Sequence, residues 1–230
     1  IINIPKLKTH KKAGITVCLK NLVGINGNKN YLPHFRFGSV QSGGDAYADN
    51  SLSNELNSKV TKFGLSFIKR FSKYPIIMLI AGNIIPKLTK KNILHMDSGN
   101  WCGNDTIWRT IVDLNRILFF SDKKGILYPD IQRKNLAIVD GIIAGEGDGP
   151  LLPISKPCGV LLAGFNPVVV DQVAAEVMGF DWTSIPQIIQ TKELIFDRLC
   201  ENFEGYDSNQ FKNHLNFNPP NGWDNLRIRP

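Results

Sequence analysis

Apolar residues recur along the chain in the patterns of strands and helices. Two apolar runs, Leu136 to Val139 and Gly159 to Ala163, have the length and composition of buried strands. Apolar positions spaced by three and four residues predict helices elsewhere, and short polar side chains that can cap a helix precede two of them. The predicted helices lie at residues 13–23, 54–71, 107–121, 168–178 and 186–200.

Strands and helices alternate in an order that predicts an α/β fold. The short run Ile1 to Ile4 leads through a basic loop to a helix, and the strand at 159–163 leads through a glycine turn to the helix at 168–178. Units of strand, turn and helix build α/β sheets that bind ligands at the carboxyl ends of their strands. We therefore expect a central, mostly parallel sheet flanked by helices.

Length and composition indicate one globular domain with additions. The chain has 230 residues, of which 43% are hydrophobic and 20% charged, and this excludes disordered and collagen-like chains. We expect the α/β domain at residues 1–195, with a helical insertion at about 50–122. An irregular tail at 196–230 is expected to pack on its surface. The glycine-rich loop at 24–52 is expected to face a substrate.

Positive charge is concentrated at the start of the chain. The net charge is +7, and no acidic residue precedes Asp45, whereas seven lysine and arginine residues do. Residues 45–230 are therefore neutral overall. The ammonium groups of Pro5 to Lys12, together with free amides of a following helix, could bind phosphate or carboxylate. A solvated lysine cluster is the alternative. His10 stands among these lysines, which favours an acid–base or anion-contacting role over metal ligation.

An acidic, glycine-rich turn follows the first predicted buried strand. The turn at 145–149 alternates glycine with other residues but precedes no helix, so it lacks the element that receives a dinucleotide pyrophosphate. Asp140, Glu146 and Asp148 could instead bind Mg²⁺ or Ca²⁺ through oxygen ligands. Asp171, in the second turn of its helix, could join them. The alternatives are an ordinary acidic turn and, for Asp171, a partner of a helix dipole.

Cysteine and histidine spacing disfavours the common zinc and iron–sulfur sites. The four cysteines are far apart and form no C-x-x-C pair. His34, His95 and His214 show no spacing such as H-x-x-x-H. Scattered thiols are typical of a reduced, cytoplasmic protein.

Residues 54–90 provide a competing hypothesis. The helix at 54–71 carries basic side chains beside its apolar stripe, and the run at 74–86 is uncharged. That run is shorter than the roughly 18 to 20 residues of a membrane-spanning helix, so it is either buried or rests on an anionic membrane surface. A peripheral membrane or redox-partner protein is therefore the alternative. Nucleic acid is disfavoured as a partner, because no recognised binding motif accompanies the local basicity.

Several longer motifs together resemble one known family. They are NIPKLKTH at 3–10, VCLKNLVG at 17–24, VDGI at 139–142, GEGDGP at 145–150, NPVVVD at 166–171 and MGFD at 178–181. In combination they are similar to the domain of unknown function 362, from residue 1 to about 190. The resemblance implies an α/β domain of bacterial or archaeal origin. Many members carry a ferredoxin-like iron–sulfur module, which this sequence lacks, and members usually have a further N-terminal half that we expect to precede Ile1.

The resemblance also implies that the basic segment, the acidic turn and Asp171 line one pocket. The family's reaction is not established, so the resemblance indicates where a site lies and not what it does. The leading hypothesis is an enzyme or enzyme-like domain that binds a phosphorylated or carboxylated small molecule, with a divalent cation such as Mg²⁺ as its cofactor. The residues predicted for these roles are Lys8, His10 and Asp140 for catalysis; Lys6, Lys11, Lys20, Asn21 and Arg109 for substrate binding; and Asp140, Glu146, Asp148 and Asp171 for the cation.

Overall fold

A mixed five-stranded sheet forms the centre of the protein. The computed structural model describes residues 1–28, 31–52, 54–56, 58–59, 63, 66, 70, 98–196 and 214–227. The strands are β1 (Ile2–Asn3), β2 (Lys6–His10), β3 (Gly14–Thr16), β4 (Leu136–Glu146) and β5 (Ile154–Gly164). The α-helices are α1 (Cys18–Asn21), α2 (Ile107–Phe120), α3 (Pro167–Met178) and α4 (Pro186–Thr191). Short 3₁₀ turns lie at Leu22–Ile25, Val40–Ser42, Trp182–Ser184 and Asp224–Leu226, and a π-helical turn, Lys192–Phe196, continues α4.

Strand β4 lies at the middle of the sheet. Strands β1 and β2 both run parallel to it, with Ile2 beside Leu136 and Lys6 beside Asp140, so they form one interrupted strand along β4. Strand β3 is antiparallel to β2, and β5 is antiparallel to β4. Three of the five strands therefore share one direction. The predicted α/β fold, with a central, mostly parallel sheet flanked by helices, is confirmed.

The chain between residues 6 and 17 differs from the predicted loop and helix. The basic segment is strand β2, and the helix predicted at 13–23 is wrong in its first part, because α1 begins only at Cys18. The chain reverses in a turn at residues 11–13, and Gly14, which follows it, has a φ of +76°, a conformation that glycine adopts without strain. Thr16 then pairs with Lys8 across the antiparallel ladder. The β-branched side chains in β3 suit this strand.

Local capping signals predict the bounds of α2 and α3 to within one residue. At the start of α3, Oδ1 of Asn166 accepts a hydrogen bond from the Val168 amide at 2.9 Å. The helix ends at Gly179, whose φ is +85°. At the start of α2, Oδ1 of Asn104 accepts from the Ile107 amide at 3.0 Å. In both helices a side-chain oxygen satisfies an amide that has no partner within the helix.

The described part of the tail, residues 214–227, contributes to the hydrophobic core. Its Phe217, Trp223 and Leu226 side chains are at most 1% exposed. They join the buried side chains of the sheet and helices in one cluster. The tail therefore supplies several of the largest fully buried side chains of the protein.

Most of the segment 54–90 lies outside the described residues, including the whole of the run at 74–86. The described residues of this segment are 54–56, 58–59, 63, 66 and 70, and all of them are helical, as is residue 52 just before it. Leu56 is 62% exposed and Phe63 is 74% exposed. At these two positions the predicted apolar stripe therefore faces solvent. No helix among the described residues combines the length and hydropathy needed to cross a membrane.

Candidate functional site

Strand β2 carries three of the candidate basic residues on one face of the sheet. Successive strand side chains point to opposite faces, so Lys6, Lys8 and His10 share a face. Leu7, on the opposite face, is fully buried in the core. Burial increases along the basic face, from the exposed Lys6 through the half-buried Lys8 to His10, which is 5% exposed.

His10 is a buried imidazole surrounded by positive charges. Burial lowers its pKa well below the ordinary value, and the charges of Lys20, Lys12, His34 and Lys8 lower it further. His10 is therefore neutral at physiological pH. These five residues, His10 with Lys8, Lys12, Lys20 and His34, are called the His10 cluster below.

Backbone contacts determine the tautomers of both histidines in the cluster. The Lys12 amide donates to Nδ1 of His10 at 3.1 Å, so the neutral ring carries its proton on Nε2. Nδ1 of His34 lies 2.7 Å from the carbonyl oxygen of Leu32. A carbonyl oxygen only accepts, so the neutral ring of His34 carries its proton on Nδ1. Consequently Nε2 is a donor in the neutral ring of His10, whereas Nε2 of His34 accepts only when that ring is neutral and donates when it is charged.

Two of the cluster's lysines are held by surrounding elements. Lys20 lies on α1 and is 8% exposed. The Lys12 ammonium contacts the carbonyl oxygen of Ser98 and lies 5.2 Å from the ring centroid of Phe35. The cluster is thus built from β2, from α1 and from the loops that contain Phe35 and Ser98.

Acidic side chains near β2 pair with two other lysines. The Nζ atom of Lys6 lies 2.5 Å from Asp140, and that of Lys11 lies 3.1 Å from Asp148. A hydrogen bond from Lys6 and another from the Ile142 amide hold the pKa of Asp140 below its usual range. The parallel pairing of β2 with β4 therefore brings the basic and acidic segments together, and ion pairs neutralise Lys6 and Lys11.

Two asparagines of the tail hold the acidic turn. Asn218 donates to Glu146 from its backbone and its side-chain amide, both at 2.9 Å. Asn221 does the same to Asp148, at 3.0 and 2.9 Å. Partial burial alone would raise the pKa of both carboxyl groups, but the asparagine amides and a nearby lysine outweigh it and lower both values. For Glu146 that lysine is Lys156, at 2.9 Å. The chain itself supplies the partners of these two carboxylates.

Asp171 is fully buried and bonds to the start of α1. Its carboxylate accepts from the Cys18 amide at 2.7 Å and from the Leu19 amide at 3.2 Å. Burial raises the pKa of Asp171 to about 7, although both amides act to lower it. Burial, followed by the charge of Asp171, also raises the pKa of the Cys18 thiol. The expectation that free amides of this helix help the lysines to bind an anion is therefore wrong, because two of them bond to Asp171.

Asn21 and Arg109, predicted to contact substrate, bond to other side chains of the protein. Nδ2 of Asn21 donates to Oδ1 of Asn3 at 2.7 Å and so connects α1 to β1. Arg109 pairs with Asp105 at 3.0 Å on the exposed side of α2. Its guanidinium also lies 4.2 Å from the ring centroid of Trp108. These contacts stabilise the fold around the cluster.

The predicted cation ligands lie in two places. Asp140, Glu146 and Asp148 lie along the end of β4 and the turn after it, whereas Asp171 bonds to α1. Across the described ranges, no group of three or more His, Cys, Asp or Glu side chains is arranged to hold a metal ion. The divalent-cation site stays a prediction.

Sequence patterns missed several residues that organise the site. His34 joins the cluster from a loop without periodicity. Asp45 is 1% exposed, and its carboxylate accepts from the Asp105 amide at 2.9 Å and from Oγ1 of Thr106 at 2.5 Å. Asp45 thereby fixes the loop to the start of α2. The sequence contains only weak signals for these residues. Asp45 is the first acidic residue of the chain, and the tail that bonds to the acidic turn is rich in asparagine.

Two cavities lie beside other elements. One, of about 470 Å³, is lined by side chains that include Ile1, Phe119 and Phe165. The other, of about 400 Å³, lies between β5 and α3 against Leu162 and Val170. Neither of these two cavities is lined by a residue of the His10 cluster.

Comparison with known proteins gives one match, at the level of the family. No curated protein and no solved structure matches the sequence. The family model for the domain of unknown function 362 matches residues 1–176, which include all five strands and most of α3. The match covers more than half of the chain and contains the whole His10 cluster. The chain therefore belongs to the family described as domain of unknown function DUF362.

Proposed function

We propose that the His10 cluster binds an anionic small molecule, phosphorylated or carboxylated, in an enzyme or enzyme-like domain. The observation that carries the proposal is the concentration of Lys8, Lys12 and Lys20 around a buried histidine. Like charges repel one another strongly where water is partly excluded. An anion in the cluster interacts favourably with several cations at once, so its binding offsets that repulsion.

Lys8 and His10 have different roles in this proposal. Lys8 is half-buried and supplies a positive charge that an incoming anion can meet. His10 donates from Nε2 to an oxygen of the anion. Negative charge beside the ring raises the pKa of His10, so binding prepares the imidazole to exchange a proton with the ligand. The ion pair of Lys6 with Asp140 borders the cluster on the same face of β2 and β4.

Lys8→Ala is expected to abolish most of the stabilisation that an anionic ligand produces. A ligand at about 100 times its Kd raises the free energy of unfolding by about 2.7 kcal/mol, which is a shift of several degrees in Tm. A thermal-shift screen of phosphorylated and carboxylated metabolites, with and without Mg²⁺, measures this effect. The matched control is Lys6→Ala, which removes the same charge from the same strand but at a side chain already paired with Asp140.

The control decides between specific binding and general attraction. We expect Lys6→Ala to keep most of the ligand response and Lys8→Ala to keep the Tm of the unliganded protein. Equal losses in both variants would show that only overall charge matters. If no anion raises the Tm of the native chain, the proposed function is wrong.

Exposed apolar residues of the 52–70 segment favour peripheral membrane contact as a second candidate function. Leu52, Leu56 and Phe63 are 85%, 62% and 74% exposed. Each of the three is helical, and a spacing of four and seven residues is typical of one side of a helix. Lys59 and Arg70 are also helical and exposed. An apolar stripe accompanied by cations suits an anionic lipid surface.

Vesicle co-sedimentation tests this second candidate. We expect the chain to bind vesicles of phosphatidylserine and phosphatidylcholine, and to bind less as salt is added, because salt screens the lysines and arginines. Replacement of both Leu56 and Phe63 by Ser is expected to weaken binding about tenfold or more, since it removes the apolar contacts. Lys8→Ala serves as the control and should bind normally. Unchanged binding of the Leu56, Phe63 variant would exclude this surface.

A further inference from the structure

Strand β5 lies at an edge of the sheet, and its second half lacks the features that usually protect an edge. Among the described residues, β5 pairs only with β4, so the backbone groups on its outer side can bond to a further strand. Charged residues, proline and bulges commonly prevent such pairing in natural sheets. The first half of β5 contains Lys156, Pro157 and a φ of +66° at Gly159. Residues 160–165, called the β5 edge below, contain no charge and no proline.

The register of β5 against β4 defines the two sides of this edge. Leu161 lies opposite Asp140, on the open side of the sheet, and is 63% exposed. Phe165, which directly follows the strand, is 75% exposed. Leu162 lies opposite the fully buried Val139 and therefore faces the core and α3. The β5 edge thus presents apolar side chains on both sides of the sheet.

The cavity of about 400 Å³ lies along the β5 edge. It is lined by residues 161–166 and, on α3, by Val169, Val170 and Val173. None of these lining residues is charged. A strand that pairs with an edge directs alternate side chains to each face of the sheet, so half of its side chains would enter this cavity. The site therefore fits an extended segment that is apolar and uncharged.

We propose that a second copy of this chain pairs with the β5 edge, strand against antiparallel strand, about a two-fold axis at Ala163. Such an axis sets Ala163 opposite itself and Leu161 of each copy opposite Phe165 of the other. Four exposed apolar side chains then leave water together. On the core side, Leu162 of each copy lies opposite Gly164 of the other, so a large residue meets a small one in the cavity.

The dimensions of this contact agree with a reversible dimer. Seven paired residues, 160–166, span about 24 Å, and a strand with a helix layer above it is roughly 20 Å deep. The two copies together would bury roughly 1,000 Å², at the low end for specific interfaces. Another protein would have to supply an uncharged apolar strand, whereas a second copy already contains one. We therefore expect a dimer with a Kd in the micromolar range.

Sedimentation equilibrium of the whole chain tests the dimer. We expect the average mass to rise from that of one chain toward that of two between about 1 and about 100 µM. Ile142→Lys is the matched control, because it places a charge at an exposed apolar position of β4, away from the edge. This variant is expected to dimerise with a Kd within about twofold of the native value.

A pair of charge substitutions at Ala163 tests the axis. Ala163 is exposed, so both Ala163→Lys and Ala163→Glu should leave the fold intact. Each variant alone is expected to dimerise at least about tenfold more weakly, because the axis sets like charges directly opposite each other. An equal mixture of the two variants sets lysine opposite glutamate. We expect the mixture to associate at least about tenfold more tightly than either variant alone.

The mixture also separates loss of pairing from misfolding, since only folded variants can restore each other. A native chain that stays monomeric at all these concentrations overturns the proposal. A dimer that persists in both Ala163 variants overturns it too, because the contact then lies elsewhere. Two monomeric variants that fail to associate when mixed contradict the axis at Ala163. A loss as large in Ile142→Lys would assign association to the open face of the sheet and not to the β5 edge.

Discussion

Trp223→Ala is expected to lower the free energy of unfolding by about 3 to 5 kcal/mol, the usual cost of truncating a large buried aromatic side chain. Trp223 is 1% exposed, and its ring packs against the turn at Gly14, where a Cβ atom would lie 3.1 Å from a ring carbon. Its Nε1 also donates to the carbonyl oxygen of Lys11 at 2.6 Å. The substitution removes both the packing and this hydrogen bond. Urea denaturation followed by circular dichroism measures the loss.

Trp223→Phe separates the two contributions of this residue. Phenylalanine keeps most of the packing but has no N–H group, so we expect a loss of about 1 to 2 kcal/mol, which corresponds to the missing hydrogen bond and a small change in volume. A cost below about 1 kcal/mol for Trp223→Ala would contradict the tail's role in the core. It would mean that the tail can leave the domain with little effect on stability.

The elements that the sequence predicts well are those governed by local interactions. The bounds of α3 follow from Asn166, which accepts hydrogen bonds from the first amides, and from Gly179, which adopts a left-handed conformation at the end. Neither interaction involves residues distant in sequence. For the same reason the apolar runs at 136–139 and 159–163 fall within β4 and β5. The sequence underestimates the lengths of both strands, because their outer residues are held by pairing with each other.

The helix predicted at 13–23 fails where a distant partner decides the structure. Ile15, Cys18, Leu19 and Leu22 have helical spacing, and all four are buried. The same burial is compatible with a strand followed by a short helix. The turn at Gly14 allows the chain to pair with β2, and the ladder satisfies backbone groups that a helix would have paired internally. Tertiary pairing therefore overrides the local pattern.

For the site, charge along the sequence predicts the location but not the partners. The acid-free start of the chain correctly draws attention to the segment that contains Lys8 and His10. Which lysines pair with an acid depends on the register of β2 against β4, which joins Lys6 to Asp140 over 134 positions of sequence. The contribution of His34 depends on how its loop folds onto α2. Composition and spacing contain no information on either arrangement.

Asp171→Asn is expected to remove a pH dependence from the stability of the protein. Burial raises the pKa of Asp171 to about 7 in the folded state, whereas an unfolded chain titrates this carboxyl group near its ordinary value of about 4. Between these two values the folded state binds a proton that the unfolded state does not bind. Stability from this group therefore rises as the pH falls from about 7 to about 4, by up to about 4 kcal/mol.

The measurement is the difference in unfolding free energy between the native chain and Asp171→Asn, by urea denaturation at about pH 5 and about pH 8. Near pH 8 the asparagine variant avoids a buried charge and keeps an oxygen for the Cys18 amide, so we expect it to be at least as stable as the native chain. Near pH 5 the native chain should gain a few kcal/mol relative to the variant. Asp140→Asn is the control, because Lys6 lowers the pKa of that exposed carboxyl group, which is therefore ionised in both the folded and the unfolded state at pH 5 and at pH 8 and adds no pH dependence over this range. A difference that is equal at both pH values would mean that Asp171 stays ionised, and that the two amides of α1 outweigh its burial.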